Sequence, residues 1–204
     1  MKFYPRIKRI LDFLISFVAM IILLPVFFII AVIIKLDSRG PVFFKQERVG
    51  KNKRHFYIYK FRTMQVDAPR NVPTYMLHNS QNYITKVGKF LRKTSLDELP
   101  QLINVLKGDM SIVGPRPVIP EESDLIKERD KYGANNVYPG ITGLAQINGR
   151  DKLSISDKAK LDGEYVQNLS FWLDVKCSFA TIVKVIKSDG VVEGGAVKLG
   201  YQEV

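Results

Sequence analysis

The chain has 204 residues and a formal net charge of +11 at pH 7, because Lys and Arg total 31 whereas Asp and Glu total 20. This length suits one domain with a hydrophobic core, and a hydrophobic content of 46% excludes an intrinsically disordered chain. The single cysteine, Cys177, excludes an intrachain disulfide, and two histidines are too few for a three-histidine zinc site. A bound metal is therefore expected to have oxygen ligands, which favours Mg²⁺ or Ca²⁺.

An uncharged run at 13–34 predicts a membrane helix. As a helix this run is about 33 Å long, close to the ~30 Å hydrocarbon core of a bilayer. Pro25 lies in its middle, and basic residues flank it on both sides. A helix that breaks at Pro25 and turns back would place both basic flanks at one membrane surface, whereas a kinked spanning helix would separate them. The residues alone leave both forms open.

The polar remainder predicts an α+β, mainly helical fold with a small β-hairpin and interfacial amphipathic helices. Aromatic and β-branched runs around a turn predict the hairpin at 42–62. Helices are predicted at 84–93, 95–107, 121–131 and 170–187, with Gly108 ending the second of them. The first and last combine apolar and basic residues, which suits either a bilayer surface or packing on the core. Segments 65–82, 108–120 and 139–150 are expected to be loops, and 162–164 is expected to be a turn.

Two adjacent carboxylates, Asp97 and Glu98, fall at the start of a predicted helix. The spacing from Ser95 to Glu98 matches a capping box, which would give these residues a structural role. Pro100 conflicts with that cap because it disfavours helical geometry at the residue before it, so the helix begins at Pro100 or has a broken first turn. In either case the carboxylates can act as a nucleophile toward phosphorus or as Mg²⁺ ligands.

Four basic residues are candidate phosphate ligands. Arg116 stands between two prolines, Lys60 and Arg62 alternate with aromatic residues and are expected to share one face of a strand, and Arg150 ends a Gly- and Asn-rich loop. Each could also be a solvated surface cation. The P-loop, Rossmann, D-x-D and nucleophile-elbow motifs are absent from the sequence, which excludes the enzyme classes built on them.

Read together, these segments resemble the bacterial sugar transferases, the small monotopic phosphoglycosyl transferases. The matching segments run in family order: KRILDF (8–13), GPVFFKQERVG (40–50), YKFRTM (59–64), LRKTSLDELPQLINVLKGDMSIVGPRP (91–117) and PGITGLAQINGR (139–150). The resemblance implies transfer of a sugar-1-phosphate from a UDP-sugar to undecaprenyl phosphate with release of UMP. It also implies Mg²⁺ as cofactor and a covalent phosphosugar-aspartate intermediate.

The resemblance further implies roles for individual residues. Asp97 would be the nucleophile, and Glu98 would position or activate groups around a metal that both carboxylates hold. Four basic residues fall on family motifs and would hold phosphates: Lys60, Arg92, Arg116 and Arg150. Residues 1–36 would form a re-entrant anchor hinged at Pro25, and 37–204 a catalytic domain on the cytoplasmic face of the bacterial inner membrane.

The chain departs from the family pattern at two positions. Leu24 stands where many members have Ser before the anchor proline, and Leu144 stands where many have Trp. The first change removes a hydroxyl that could satisfy the backbone at the hinge, and neither touches the Asp97-Glu98 pair.

An alternative function is that of a membrane-tethered basic module without catalysis. Its charge of +11 would attract nucleic acid or anionic lipid. That alternative does not account for the Asp97-Glu98 pair or for the Pro-Arg-Pro segment, so no nucleic-acid partner is expected. A homodimer is compatible with the sequence, but nothing in it requires one.

Overall fold

The computed structural model describes residues 3–69, 80–149 and 152–186. Arg150, the middle of the loop predicted at 65–82 and the end of the helix predicted at 170–187 lie outside them. The helices are α1 (Tyr4–Asp37), α2 (Lys86–Lys93), α3 (Gln101–Lys107), α4 (Ser123–Asp130), α5 (Leu144–Ile147), α6 (Ile155–Gln167) and α7 (Phe171–Ile186). The strands are β1 (Phe43–Val49), β2 (His55–Phe61), β3 (Ser111–Val113) and β4 (Gly140–Thr142). The predicted α+β, mainly helical class is confirmed.

Helix α1 passes through Pro25 without an interruption, which differs from the expected break. A proline inside a helix removes one hydrogen bond and is tolerated where the rest of the helix is well supported. Both halves of α1 pack on the polar domain, through buried Lys8 and Asp12 before the proline and buried Phe27 and Ile34 after it. That the two halves re-enter one membrane surface stays a prediction.

Most of the remaining surface of α1 between residues 13 and 33 is apolar and exposed. By length and composition, α1 is the one helix in the described part of the chain that is long and apolar enough to cross a membrane. Its exposed large side chains include Phe13, Leu14, Ile15, Phe17, Val18, Ile21, Ile22, Leu24, Phe28 and Ile29. An apolar surface of this extent is not stable in water, so a lipid or protein environment must cover it.

The predicted β-hairpin is confirmed. Strands β1 and β2 pair antiparallel, with Phe44 opposite Lys60, and a short 3₁₀ turn at Lys51–Lys53 connects them. On the inner side of β2, Phe61 packs against Phe27 and Leu91 in the core cluster that joins the hairpin to α1 and α2. This cluster fixes the strand that carries Lys60.

The interpretation of 108–120 and 139–150 as loops is partly wrong, because each contains a short strand. Strands β3 and β4 pair in parallel, and three residues are too few to show an alternating pattern in the sequence. The backbones meet so closely behind the strands that a Cβ on Gly140 would lie 2.1 Å from the nitrogen of Gly114. This contact positions the Gly114–Pro117 segment.

The turn predicted at 162–164 is wrong, because these residues lie inside α6. Asp-Gly pairs favour turns in isolation, but here Gly163 allows a close approach: a Cβ at this position would lie 2.5 Å from the Cβ of Tyr132. Helix α4, predicted as exposed, buries Leu125 and Arg129 against α6. Packing between α4 and α6 therefore overrides the local preference for a turn at 162–164.

Candidate active site

Asp97 and Glu98 lie in a tight 3₁₀ turn, Leu96–Glu98, between α2 and α3. The capping box is wrong: Ser95 adopts a left-handed conformation with φ of 56° and makes no side-chain cap. Helix α3 begins at Gln101, directly after Pro100, which agrees with the predicted form in which the helix begins at the proline and not at residue 95. The carboxylates are thus held by a constrained turn of their own, and Asp97 is only 9% exposed.

One oxygen of Glu98 faces two cations. Its Oε1 lies 2.8 Å from Nζ of Lys60 and 3.6 Å from Nη2 of Arg116. Burial lowers the pKa of Lys60, and the nearby Glu98 carboxylate opposes that shift without cancelling it. The hairpin, the 3₁₀ turn and the Pro-Arg-Pro segment therefore meet at this carboxylate.

A residue that the sequence analysis missed, Asn104 on α3, joins this helix to strand β2 of the hairpin. Its side-chain Oδ1 accepts from the backbone nitrogen of Tyr59 at 3.0 Å, and its Nδ2 donates to the carbonyl of Tyr57 at 2.7 Å. The amide thus substitutes for a neighbouring strand at the edge of β2, next to Lys60. Its only signal in the sequence is a polar residue on the inner face of a short helix.

Arg48 is a second missed residue, since in the sequence it is only one of several basic residues that follow the apolar run. Its Nη1 donates to the carbonyl of Pro117 at 3.2 Å and its Nη2 to Oε1 of Gln46 at 2.5 Å, while its Nε is buried without an acceptor. Burial lowers the pKa of Arg48 to about 10, and repulsion from Arg116 adds to this effect. A buried donor without a partner beside a second guanidinium suits an anionic ligand.

One predicted phosphate ligand, Arg62, binds a different part of the protein. The guanidinium of Arg62 donates to the carbonyls of Pro41 and Ser38 and to the Ser38 hydroxyl, at 2.6–2.9 Å. It therefore fastens the C-terminal end of α1 to the hairpin. Arg92 lies in the last turn of α2, just before the carboxylate turn, and Arg150 lies outside the described residues.

The carboxylates at this site fit a metal ion that the protein and a bound substrate would hold together. Among residues 3–69, 80–149 and 152–186, no group of three or more His, Cys, Asp or Glu side chains could by itself hold a metal ion. Two adjacent carboxylates are present, however, and Mg²⁺ is commonly held by one or two carboxylates plus substrate phosphates. Asp97 and Glu98 are the residues that would hold it.

Comparisons with known proteins cover nearly the whole chain. The family model described as bacterial sugar transferase matches residues 3–188. The chain is 45% identical over 192 residues to the uncharacterized sugar transferase EpsL of Bacillus subtilis, covering 91% of this chain and 90% of EpsL.

Two longer relatives carry names that state a reaction. The undecaprenyl-phosphate glucose phosphotransferase of Komagataeibacter xylinus is 43% identical over 191 residues, which are 89% of this chain and 36% of that protein. The UDP-glucose:undecaprenyl-phosphate glucose-1-phosphate transferase of Escherichia coli is 42% identical over 185 residues, 87% of this chain and 40% of that protein. The chain thus spans less than half the length of these two relatives.

Proposed function

Because this chain belongs to the bacterial sugar transferase family, we propose that it transfers a sugar-1-phosphate from a UDP-sugar to undecaprenyl phosphate and releases UMP, an early step in surface polysaccharide synthesis. The names of the K. xylinus and E. coli relatives support the donor class and the acceptor. The observation that carries the proposal is the constrained Asp97-Glu98 turn, whose Glu98 carboxylate meets Lys60 and Arg116.

The chemistry proceeds in two displacements at the β-phosphorus of the donor. In the first, a carboxylate oxygen of Asp97 forms a bond to that phosphorus while the bond to the bridging oxygen breaks, and UMP leaves with the electron pair. In the second, a phosphate oxygen of the lipid acceptor forms a bond to the same phosphorus and the Asp97 carboxylate is released. The acyl phosphate conserves the energy of the phosphoanhydride, so ATP is not needed.

The cations around Glu98 stabilise charge on the phosphates. Lys60 and Arg116 are positioned before substrate arrives, so little reorganisation is required when negative charge develops on the transferred group. When bound by Asp97 and Glu98, Mg²⁺ would supply further neutralisation of the diphosphate. In this scheme Glu98 orients the cations around it and does not itself attack the phosphorus.

The exposed apolar surfaces support attachment to a bilayer, where a lipid acceptor is available. Besides α1, helix α7 exposes Trp172, Val175, Phe179 and Ile182 along one stripe while burying Cys177 on its other side. Helix α2 exposes Phe90 among basic residues. Apolar and aromatic residues beside lysines and arginines are typical of helices at a membrane surface. The proposal includes the bacterial inner membrane, with 37–204 on the cytoplasmic side.

The test is UMP release by the purified chain in nanodiscs with undecaprenyl phosphate, Mg²⁺ and a panel of UDP-sugars. We expect release with at least one donor, its loss on addition of EDTA, and its loss in Asp97→Asn. Glu47→Gln, which removes an exposed carboxylate on the hairpin, is the matched control and should retain activity. A donor labelled at the β-phosphate should label the wild-type protein covalently and leave Asp97→Asn unlabelled.

The outcomes separate the parts of the proposal. UMP release that persists in Asp97→Asn would refute the nucleophile and leave the reaction standing. No UMP from any donor, with salt-sensitive binding of DNA or anionic vesicles by the folded protein, would support the basic-module alternative instead.

A further inference from the structure

A buried ion pair lies behind the segment that carries Arg116. Arg129 of α4 places its Nε 2.8 Å and its Nη2 2.6 Å from Oδ2 of Asp162 on α6. The two side chains are 6% and 1% exposed. Burial raises the pKa of Asp162, and the adjacent Arg129 guanidinium opposes this shift. Buried ion pairs contribute little net stability because both charges lose their hydration, so this pair calls for another explanation.

The third donor group of Arg129 indicates a role for the pair other than stability. Its Nη1 donates to the main-chain carbonyl of Arg116 at 3.0 Å. The carbonyls on either side are held as well: that of Pro115 accepts from the nitrogen of Gly140 at 2.9 Å, and that of Pro117 accepts from Arg48 at 3.2 Å. Three successive carbonyls therefore receive donors from three different elements.

The segment 115–117 needs hydrogen bonds from other elements because two of its three residues are prolines. Pro115 and Pro117 have no N–H groups, so this segment cannot form a regular ladder of its own. The middle carbonyl depends on Arg129, and Arg129 in turn is oriented by Asp162. A planar guanidinium can bind a carboxylate on one edge and a carbonyl on another, which an ammonium cannot reproduce.

We propose that the Arg129–Asp162 pair is a positioning device for Arg116, which sets the Pro-Arg-Pro segment so that the Arg116 guanidinium faces Glu98 and the donor phosphates. This inference rests on the proposed function for its kinetic consequence. Neither Arg129 nor Asp162 touches the substrate in this scheme. Their effect passes through the main chain of Arg116, and a displacement of about 1 Å there is enough to slow a transfer reaction by up to ~100-fold.

The kinetic test is a double-mutant cycle on UMP release that combines Arg129→Lys with Arg116→Ala. We expect Arg129→Lys to lower kcat/KM by about 10-fold or more, and the double variant to be within about 2-fold of Arg116→Ala alone. Asp130→Asn is the matched control, because it breaks an exposed pair between the same helix and Lys53 and should leave kcat/KM unchanged. Should Arg129→Lys fail to fold, Asp162→Asn replaces it, since the amide keeps a neutral acceptor for the guanidinium.

A second measurement does not depend on catalysis. Hydrogen exchange followed by mass spectrometry should show faster exchange in the peptide that covers 113–118 in Arg129→Lys and unchanged exchange there in Asp130→Asn. Unchanged exchange in Arg129→Lys, or full additivity of the two substitutions in kcat/KM, would overturn the positioning role. If the wild type releases no UMP from any donor, the proposed function fails, and the exchange result alone decides whether the pair positions the segment.

Discussion

The Lys60 ammonium lies 2.8 Å from the Glu98 carboxylate, although 38 positions separate the two residues in the sequence. The contact joins strand β2 to the turn that carries Asp97. Since both side chains are largely buried, the ammonium is held in an environment that favours its neutral form. Its charge is therefore sensitive to pH in a range where an exposed lysine is not.

The activity is expected to fall on the alkaline side at a pH below 10.5, the ordinary pKa of a lysine. Burial lowers the pKa of Lys60, so as the pH rises this residue loses its proton, and with it its stabilisation of phosphate charge, before other lysines do. In Lys60→Arg the fall should move to higher pH, because a guanidinium keeps its charge. The measurement is kcat/KM for UMP release against pH. Lys53→Arg, at an exposed position, should leave the profile unchanged, and an unmoved profile in Lys60→Arg would refute the assignment.

Substitution of the two predicted phosphate-binding arginines should have different consequences. Arg116→Lys removes a planar guanidinium that faces Glu98, and we expect kcat/KM for the UDP-sugar to fall about 10-fold or more, from the loss of roughly 1.5–3 kcal/mol of charged hydrogen bonding. Arg62→Lys removes at least two of three hydrogen bonds to Ser38 and Pro41, and we expect a lower thermal unfolding temperature with KM unchanged. A raised KM in Arg62→Lys would show that this residue also contacts the donor.

Loss of the Asp174 charge should loosen the N-terminal half of α1. This carboxylate accepts from Tyr4 at 2.6 Å and from Tyr165 at 2.8 Å, and it lies 2.7 Å from the ammonium of Lys8. Asp174→Asn leaves Lys8 buried with only a 3.5 Å contact to Asp12, so we expect a loss of about 3–5 kcal/mol in stability. Thermal unfolding in nanodiscs measures this effect. Tyr4→Phe, which removes one hydrogen bond and no charge, should cost much less, and equal effects would contradict the role of the charge.

The membrane position of α7 can be tested without a substitution, because Trp172 is the only tryptophan of the chain. This side chain is 77% exposed on the protein surface. If the apolar stripe of α7 lies in a bilayer, the fluorescence of Trp172 in nanodiscs should be blue-shifted. Acrylamide should quench it little, and brominated lipid should quench it strongly. As a control, Tyr57→Trp in a Trp172→Phe background places the fluorophore on an exposed position of the hairpin, where emission typical of water is expected. If Trp172 instead shows emission typical of water, the prediction that α7 lies at the membrane surface is wrong.

The parts of the fold that depend on contiguous residues were predictable. The hairpin follows from two aromatic and β-branched runs around a turn. Helix α1 follows from an uncharged apolar run that is long enough to cross a bilayer. The parts that depend on distant contacts were not. Helix α6 and the strands β3 and β4 are stabilised by packing across the chain, and their local patterns favour a turn or loops.

The same division holds at the candidate site. The sequence alone indicated that two carboxylates stand just before a helix that begins at Pro100, because a proline has no backbone N–H and is favoured at the start of a helix. Only the tertiary structure decided which cations meet them: Lys60 and Arg116 reach Glu98, while Arg62 is directed to Ser38. The physical reason is that backbone restrictions act between neighbours along the chain, whereas the partner of a charge is chosen by the packing of elements that are far apart in sequence.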